Sequence, residues 1–165
     1  MNWAHLIELL AAQQSLSEYE AETLFSAIFD GGVSELEMGG LLVLLEQRAL
    51  TQQELHGVLA ALSTRVFHAT TPATQWRPVL MPVYGTAKHQ PDLAPLLAIS
   101  LRRLGIPVLV HGALSGGSGV ASAYLFRELG IMPSASFAQA QQALSAGQTV
   151  FLPTGAVSPA IADLL

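Results

Sequence analysis

Ser115-Gly116-Gly117-Ser118-Gly119 sets two hydroxyls among three glycines, after a β-branched apolar run and before a helical pattern. A turn of that kind between strand and helix offers unpaired backbone N–H groups and the positive end of the helix dipole, which together suit a phosphate oxygen. The other reading is a flexible turn, glycine-rich because the chain must reverse. His111 closes the apolar run and either donates to a ligand or packs against backbone. Nucleophilic catalysis is not indicated. A Gly-x-Ser-x-Gly elbow starting at Gly116 would need glycine where Val120 stands. His56 and His68 have no acid or cysteine in register with them, so no metal site is predicted.

Charge narrows the ligand classes. Residues 1–66 hold nine acids against Arg48 and Arg65, which argues against a phosphate backbone lying on that half. Residues 67–165 hold three acids against Arg77, Lys88, Arg102, Arg103 and Arg127, so this half tolerates one. Neither half is basic enough to indicate nucleic acid by charge alone. The composition, 51% hydrophobic and 12% charged, is that of a folded chain with a real core. The longest aliphatic run, Leu41 to Leu45, is far too short for a membrane span. The start Met-Asn-Trp-Ala-His-Leu lacks a basic n-region, so no signal peptide is expected and a cytoplasmic location is the default. The absence of cysteine rules out disulfides and thiolate ligands.

The elements that must position these residues fall into two kinds. Ser17 with Glu20, Ser34 with Glu37, and Thr51 with Glu54 each pair a hydroxyl with a glutamate three positions on, which predicts three capping boxes. With the spacing of Trp3, Leu6, Ile7 and Leu10 they predict a four-helix bundle over 1–66. Asp30-Gly31-Gly32 should end the second helix. Residues 67–78, with Thr70-Thr71-Pro72 and Arg77-Pro78, read as a connection. Over 79–165 short strands (79–83, 106–110, 148–152) alternate with helices (92–104, 119–129, 136–145), which predicts a parallel-stranded α/β domain. Asp92 is a possible cap, and Gly105 and Gly130 are helix stops. Ser158-Pro159 opens another helix. Only six residues follow Pro159, so the α/β domain is expected to be partial and the chain to associate through its unpaired edge.

Two stretches resemble the helical domain of the anthranilate phosphoribosyltransferase superfamily: Phe25 to Met38, and Leu41 to Gly57. The second half continues the resemblance. Gly85-Thr86 stands where that family has its GTGGD loop, and Val110-His111-Gly112-Ala113-Leu114-Ser115 stands where it has KHGNRS. The match runs without a gap from His111 to Gly130, and covers the whole chain but about half of a family member. It implies a nucleoside phosphorylase/phosphoribosyltransferase-like fold. The departures imply lost catalysis. The glycine loop is reduced to Gly85-Thr86-Ala87-Lys88-His89, and the family's lysine, asparagine and arginine are Val110, Ala113 and Leu114. The family's Asp-Glu magnesium pair would lie beyond residue 165, so magnesium is expected only with a further segment carrying that pair, and no other cofactor is expected. Tyr84-Gly85, Lys88 and Pro91 are similar instead to the YbiB-like subgroup, whose members share the fold, lack the enzyme motifs and are described as dimeric, sequence-nonspecific DNA-binding proteins.

That resemblance makes Gly85, Thr86, Lys88, His111, Gly112, Ser115, Gly117 and Ser118 the candidate phosphate- or nucleic-acid-binding residues. For Gly85-Thr86 the other reading is a plain strand-to-helix turn, and for Lys88 a solvated surface side chain. The leading expectation is a non-catalytic, homodimeric nucleic-acid-binding protein. The alternatives are a phosphoribosyltransferase acting on a substrate other than anthranilate, and a homodimerising interaction module.

Overall fold

The structure is a computed structural model and describes residues 3–68, 70, 76–84, 91–115, 120–162 and 164. It divides into two compact units, 1–66 and 67–165.

The first unit holds α1 (Trp3–Ala11), α2 (Glu18–Phe29), α3 (Glu35–Glu46) and α4 (Gln52–Ser63). All three capping boxes form: Ser17, Ser34 and Thr51 each accept from the N–H three residues on, while Glu20, Glu37 and Glu54 reach back. Gly31 takes the positive φ (69°) that ends α2. The core is Leu6, Leu10, Leu16, Ala21, Leu24, Ile28, Val33 and Leu41. Each large aliphatic side chain there contributes roughly 1.5–3 kcal/mol by leaving water. Gly57 lets α4 lie directly on α2, since a Cβ there would sit 2.4 Å from the Glu18 carbonyl oxygen and 2.7 Å from Ala21 Cβ. The charged groups inside this unit are tied down. Arg65 grips Asp30 with two hydrogen bonds, Nε to Oδ1 at 2.8 Å and Nη2 to Oδ2 at 2.6 Å. Glu54 is 1% exposed and forms an ion pair with Arg48.

Helix α3 departs from the amphipathic pattern. Its sequence, Glu-Leu-Glu-Met-Gly-Gly-Leu-Leu-Val-Leu-Leu-Glu, is apolar on every side, yet Leu41 is its one fully buried residue. Leu36 is 88% and Val43 56% exposed.

The second unit is built on three parallel strands in the order β1 (Val79–Pro82), β2 (Val108–Gly112), β3 (Thr149–Pro153). Val79 aligns with Val108, and Val108 with Thr149. Parallel strands need helices on both faces, and the side-chain alternation delivers them. Met81, Val108, Val110 and Phe151 turn to one face and pack with Ala98 of α5 (Ala94–Arg103) and Ala123 and Phe126 of α6 (Ser122–Glu128). Val150 and Leu152 turn to the other, against Ala140 and Leu144 of α7 (Phe137–Ser145). Two short helices follow, α8 (Thr154–Val157) and α9 (Pro159–Ala162).

Some boundaries differ from expectation. Strand β2 starts at Val108 because Ile106 still closes α5, its N–H bonding the Leu101 carbonyl, and Pro107 has no N–H to give. Asp92 is not the cap of α5. Leu93 is, and Asp92 bonds the Ala94 N–H through Oδ1 (3.0 Å) while Oδ2 accepts from Ser122 Oγ (2.5 Å). Gly105 and Gly130 end α5 and α6 at φ 76° and 78°. The expected connection folds onto the second unit at two points: Phe67 N–H bonds the Val157 carbonyl (3.0 Å), and Gln141 Nε2 bonds the Thr70 carbonyl (2.8 Å).

Candidate functional site at the carboxyl ends of the strands

In an open parallel sheet, ligands enter at the carboxyl ends of the strands, where the loops to the following helices gather. Here those ends are Val83-Tyr84, His111-Gly112 and Pro153-Thr154. The register aligns Pro82 with His111 and His111 with Leu152, so Tyr84, His111 and Thr154 share the face covered by α7. Their side chains meet. Tyr84 Oη lies 2.9 Å from His111 Nδ1, the rings stand edge to face with centroids 5.2 Å apart, and Thr154 Oγ1 lies 3.3 Å from Tyr84 Oη. Thr154 donates to Tyr84, and Tyr84 donates to Nδ1 or accepts from it according to the His111 tautomer. Burial holds His111 below the usual histidine range, which favours a neutral imidazole in this rung.

Gly112 has a packing requirement of its own. A Cβ there would approach the Val83 carbonyl oxygen to 2.4 Å and Val83 Cγ2 to 2.8 Å. The Val83 N–H bonds the His111 carbonyl at 2.8 Å, so this contact is part of the ladder that holds Tyr84 against His111. Ser115 lies past the end of β2 and lines a cleft of about 560 Å³. Ala113, Leu114, Pro133 to Ala135, Pro153 to Ala156 and Ala162 also line it among the described residues. No ionisable side chain is among these lining residues. Gly85, Thr86, Lys88, Gly117 and Ser118 lie outside the described residues. The clamp from Asp92 to Ser122 ties the chain just after the first of those stretches to the first turn of α6, just after the second.

Sequence reasoning had placed His111 and Ser115 at this edge, but not the partners of His111. Thr154 carries no local signal and joins Tyr84 across 70 positions. The wall formed by Pro133, Ser134 and Ala135 was likewise missed. It arises because Pro133 bridges to Phe151 and the Ser134 N–H bonds the Phe151 carbonyl (2.8 Å), which lays this segment beside β3.

Residues 4–65 match the glycosyl transferase family helical bundle domain. Over 146 residues the chain is 36% identical to the Escherichia coli (strain K12) uncharacterized protein YbiB, covering 88% of this chain and 46% of that one. The chain belongs to the anthranilate phosphoribosyltransferase superfamily. Anthranilate phosphoribosyltransferase of Pseudoalteromonas translucida (strain TAC 125) is 30% identical over 149 residues, 88% of this chain and 41% of the enzyme. The crystal structure of anthranilate phosphoribosyltransferase from Thermus thermophilus superposes with a TM-score of 0.73 at 24% identity, covering 94% of this chain and 47% of that one, which shows the same fold. The chain thus spans less than half the length of these superfamily members and corresponds to their N-terminal half. No helix among the described residues is long and apolar enough to cross a membrane.

Proposed function

We propose that this superfamily member is a non-catalytic, sequence-nonspecific nucleic-acid-binding protein. The observation that carries the reading is that no ionisable side chain is among the described residues lining the cleft at the carboxyl edge. Moving a charged phosphoribosyl group calls for fixed charges and donors aimed at the developing charge. The cleft's described wall offers small apolar residues, prolines and hydroxyls instead. Binding a nucleic acid has simpler needs: phosphate-facing donors and flat surfaces for bases. Tyr84, 46% exposed, lies two residues past the end of β1. Tyr124, 49% exposed, lies in the first turn of α6 with the Arg127 guanidinium 5.1 Å from its ring centroid. In chain order Lys88 falls between β1 and α5, and Ser115 to Ser118 fall between β2 and α6. Arg102 and Arg103 are excluded from that surface, because α5 runs back along the sheet and ends at the amino edge.

Fluorescence anisotropy with a labelled single-stranded oligonucleotide tests which surface binds. Lys88→Glu should weaken binding by roughly tenfold, and Tyr84→Ala by about 1–3 kcal/mol if a base stacks there. Variants that bind as well as the parent would remove this edge from the reading.

We also propose that the protein is a homodimer joined through α3. Leu36, Gly39, Gly40 and Val43 recur at i, i+3, i+4 and i+7, so they form one helix face. Glycine inside a helix costs roughly 1 kcal/mol relative to alanine. A Cβ at Gly39 or Gly40 would meet nothing within 4 Å, so no internal contact requires either glycine. Two flanking aliphatic residues around a glycine-lined groove are self-complementary across a two-fold axis. Light scattering after size exclusion should give a dimer for the parent and a monomer for Leu36→Glu with Val43→Glu. A monomeric parent, or a dimeric double variant, would refute this interface.

A further inference from the structure

At the opposite, amino edge of the sheet a second pocket of about 290 Å³ opens beside the start of β3. Its chemistry is the reverse of the neutral cleft. Arg102, Gln139, Gln148, Thr149 and Ser134 bring a guanidinium, two amides and two hydroxyls to one small space, with no acidic side chain among its lining residues. Arg102 has no carboxylate partner among the described residues. Gln139 spends its oxygen on the Ala135 N–H (2.9 Å), which leaves its NH₂ as the spare group. Thr149 is 8% exposed and its hydroxyl is buried without a hydrogen-bond partner. A buried hydroxyl in that state has given up its bond to water without a replacement. The backbone adds to the set. Phe151 turns its carbonyl outward to Ser134, so Thr149, two residues earlier on the edge strand, turns its own backbone groups to the same outer side. Among the described lining residues donors outnumber acceptors, and the one formal charge is positive.

We propose that this pocket binds a small oxyanion, a phosphate or a carboxylate group, gripped by Arg102 with the amides of Gln139 and Gln148. The site shares Ser134 with the wall of the carboxyl-edge cleft, but Arg102, Gln139 and Gln148 line this pocket and not that cleft, so the proposal does not depend on nucleic-acid binding there. The fork of a guanidinium matches both kinds of anion, and the pocket has room for the anionic head of a small molecule.

The test is a ¹⁵N-resolved titration of the whole chain with inorganic phosphate and, separately, with acetate, at ionic strength held constant with chloride. Saturable shifts should centre on Gly130 to Met132 and Gln148 to Val150. Tighter phosphate binding would assign a phosphate ester, and tighter acetate binding a carboxylate. Arg102→Gln should weaken the preferred anion by roughly tenfold or more, the loss expected for a charge-assisted contact, while Arg103→Gln, next door but outside the pocket, leaves it within about twofold. The proposal is overturned if neither anion saturates these signals, or if Arg103→Gln weakens binding as much as Arg102→Gln.

Discussion

Glu54→Ala should lower the unfolding free energy by about 3–5 kcal/mol, the usual cost of removing one partner from a buried ion pair. Glu54 is 1% exposed and holds four groups at once. It takes the Leu16 N–H at 2.8 Å, the Thr51 N–H at 2.8 Å and the Thr51 hydroxyl at 2.9 Å, and it pairs with Arg48, whose side chain is 15% exposed. Truncation would leave the Leu16 N–H without its acceptor, and the guanidinium with its longer contacts to the Gln14 and Ala49 carbonyls at 3.4 and 3.5 Å. Urea unfolding followed by circular dichroism measures the loss; a change below about 1 kcal/mol would show that the cluster relaxes freely to water. The same residue predicts a pH dependence. Its hydrogen bonds to Arg48 hold its carboxyl down from 4.5 to about 2. Because the folded value lies below the unfolded one, this contribution is complete above pH 4.5 and fades as pH falls toward about 2. Glu20 and Asp30 are shifted the same way by Ser17 and Arg65, but on the surface, where such pairs are worth little. Glu54→Gln should therefore remove most of the acid sensitivity of the first unit.

Gly112→Ala should destabilise the second unit by about 1–3 kcal/mol, since the obstructing Val83 oxygen is backbone and cannot rotate away. The effect should reach the site. Relief requires β1 and β2 to part at Val83 and His111, which loosens the Tyr84 contact and admits water to His111. Burial is what depresses the His111 pKa, so in the variant it should rise toward the ordinary 6.5. Histidine ¹H–¹⁵N correlation spectra across pH 4–8 would follow this. An alanine variant as stable as the parent, with an unmoved His111, would mean that the strands adjust elsewhere.

The difference between these two sites shows what a sequence makes legible. Capping is local: a hydroxyl and a glutamate three residues apart on one turn need nothing else, so three helix starts were readable to the residue. That Glu54 also reaches Leu16 and Arg48 was not readable, because the first contact depends on how α4 lies on α2 and the second on the path of the connection from α3 to α4. The alternation of strands and helices gave a parallel sheet, since β-branched runs such as Val108 to Val110 have few other homes. The ends of β2 shifted because Pro107 and the last turn of α5 compete for the same residues. His111 and Ser115 could be placed at a strand's carboxyl end from chain order alone. The rung from Tyr84 to Thr154 could not, because it exists through register between strands 27 to 70 positions apart. Asp92 shows the intermediate case. A cap was expected from its position, but its second oxygen found Ser122, 30 residues away, and the residue became a tie between two helix starts instead.

The central claim, that the carboxyl edge binds nucleic acid through its phosphates rather than by sequence, is tested most directly by a salt series. Anisotropy would be measured with unrelated single- and double-stranded oligonucleotides at low and at physiological salt. With only a few phosphates neutralised, affinity should fall by roughly ten- to a hundredfold across that range, and by a similar factor for every sequence of one strand type. Affinity indifferent to salt, or strong preference for one sequence, would contradict the account.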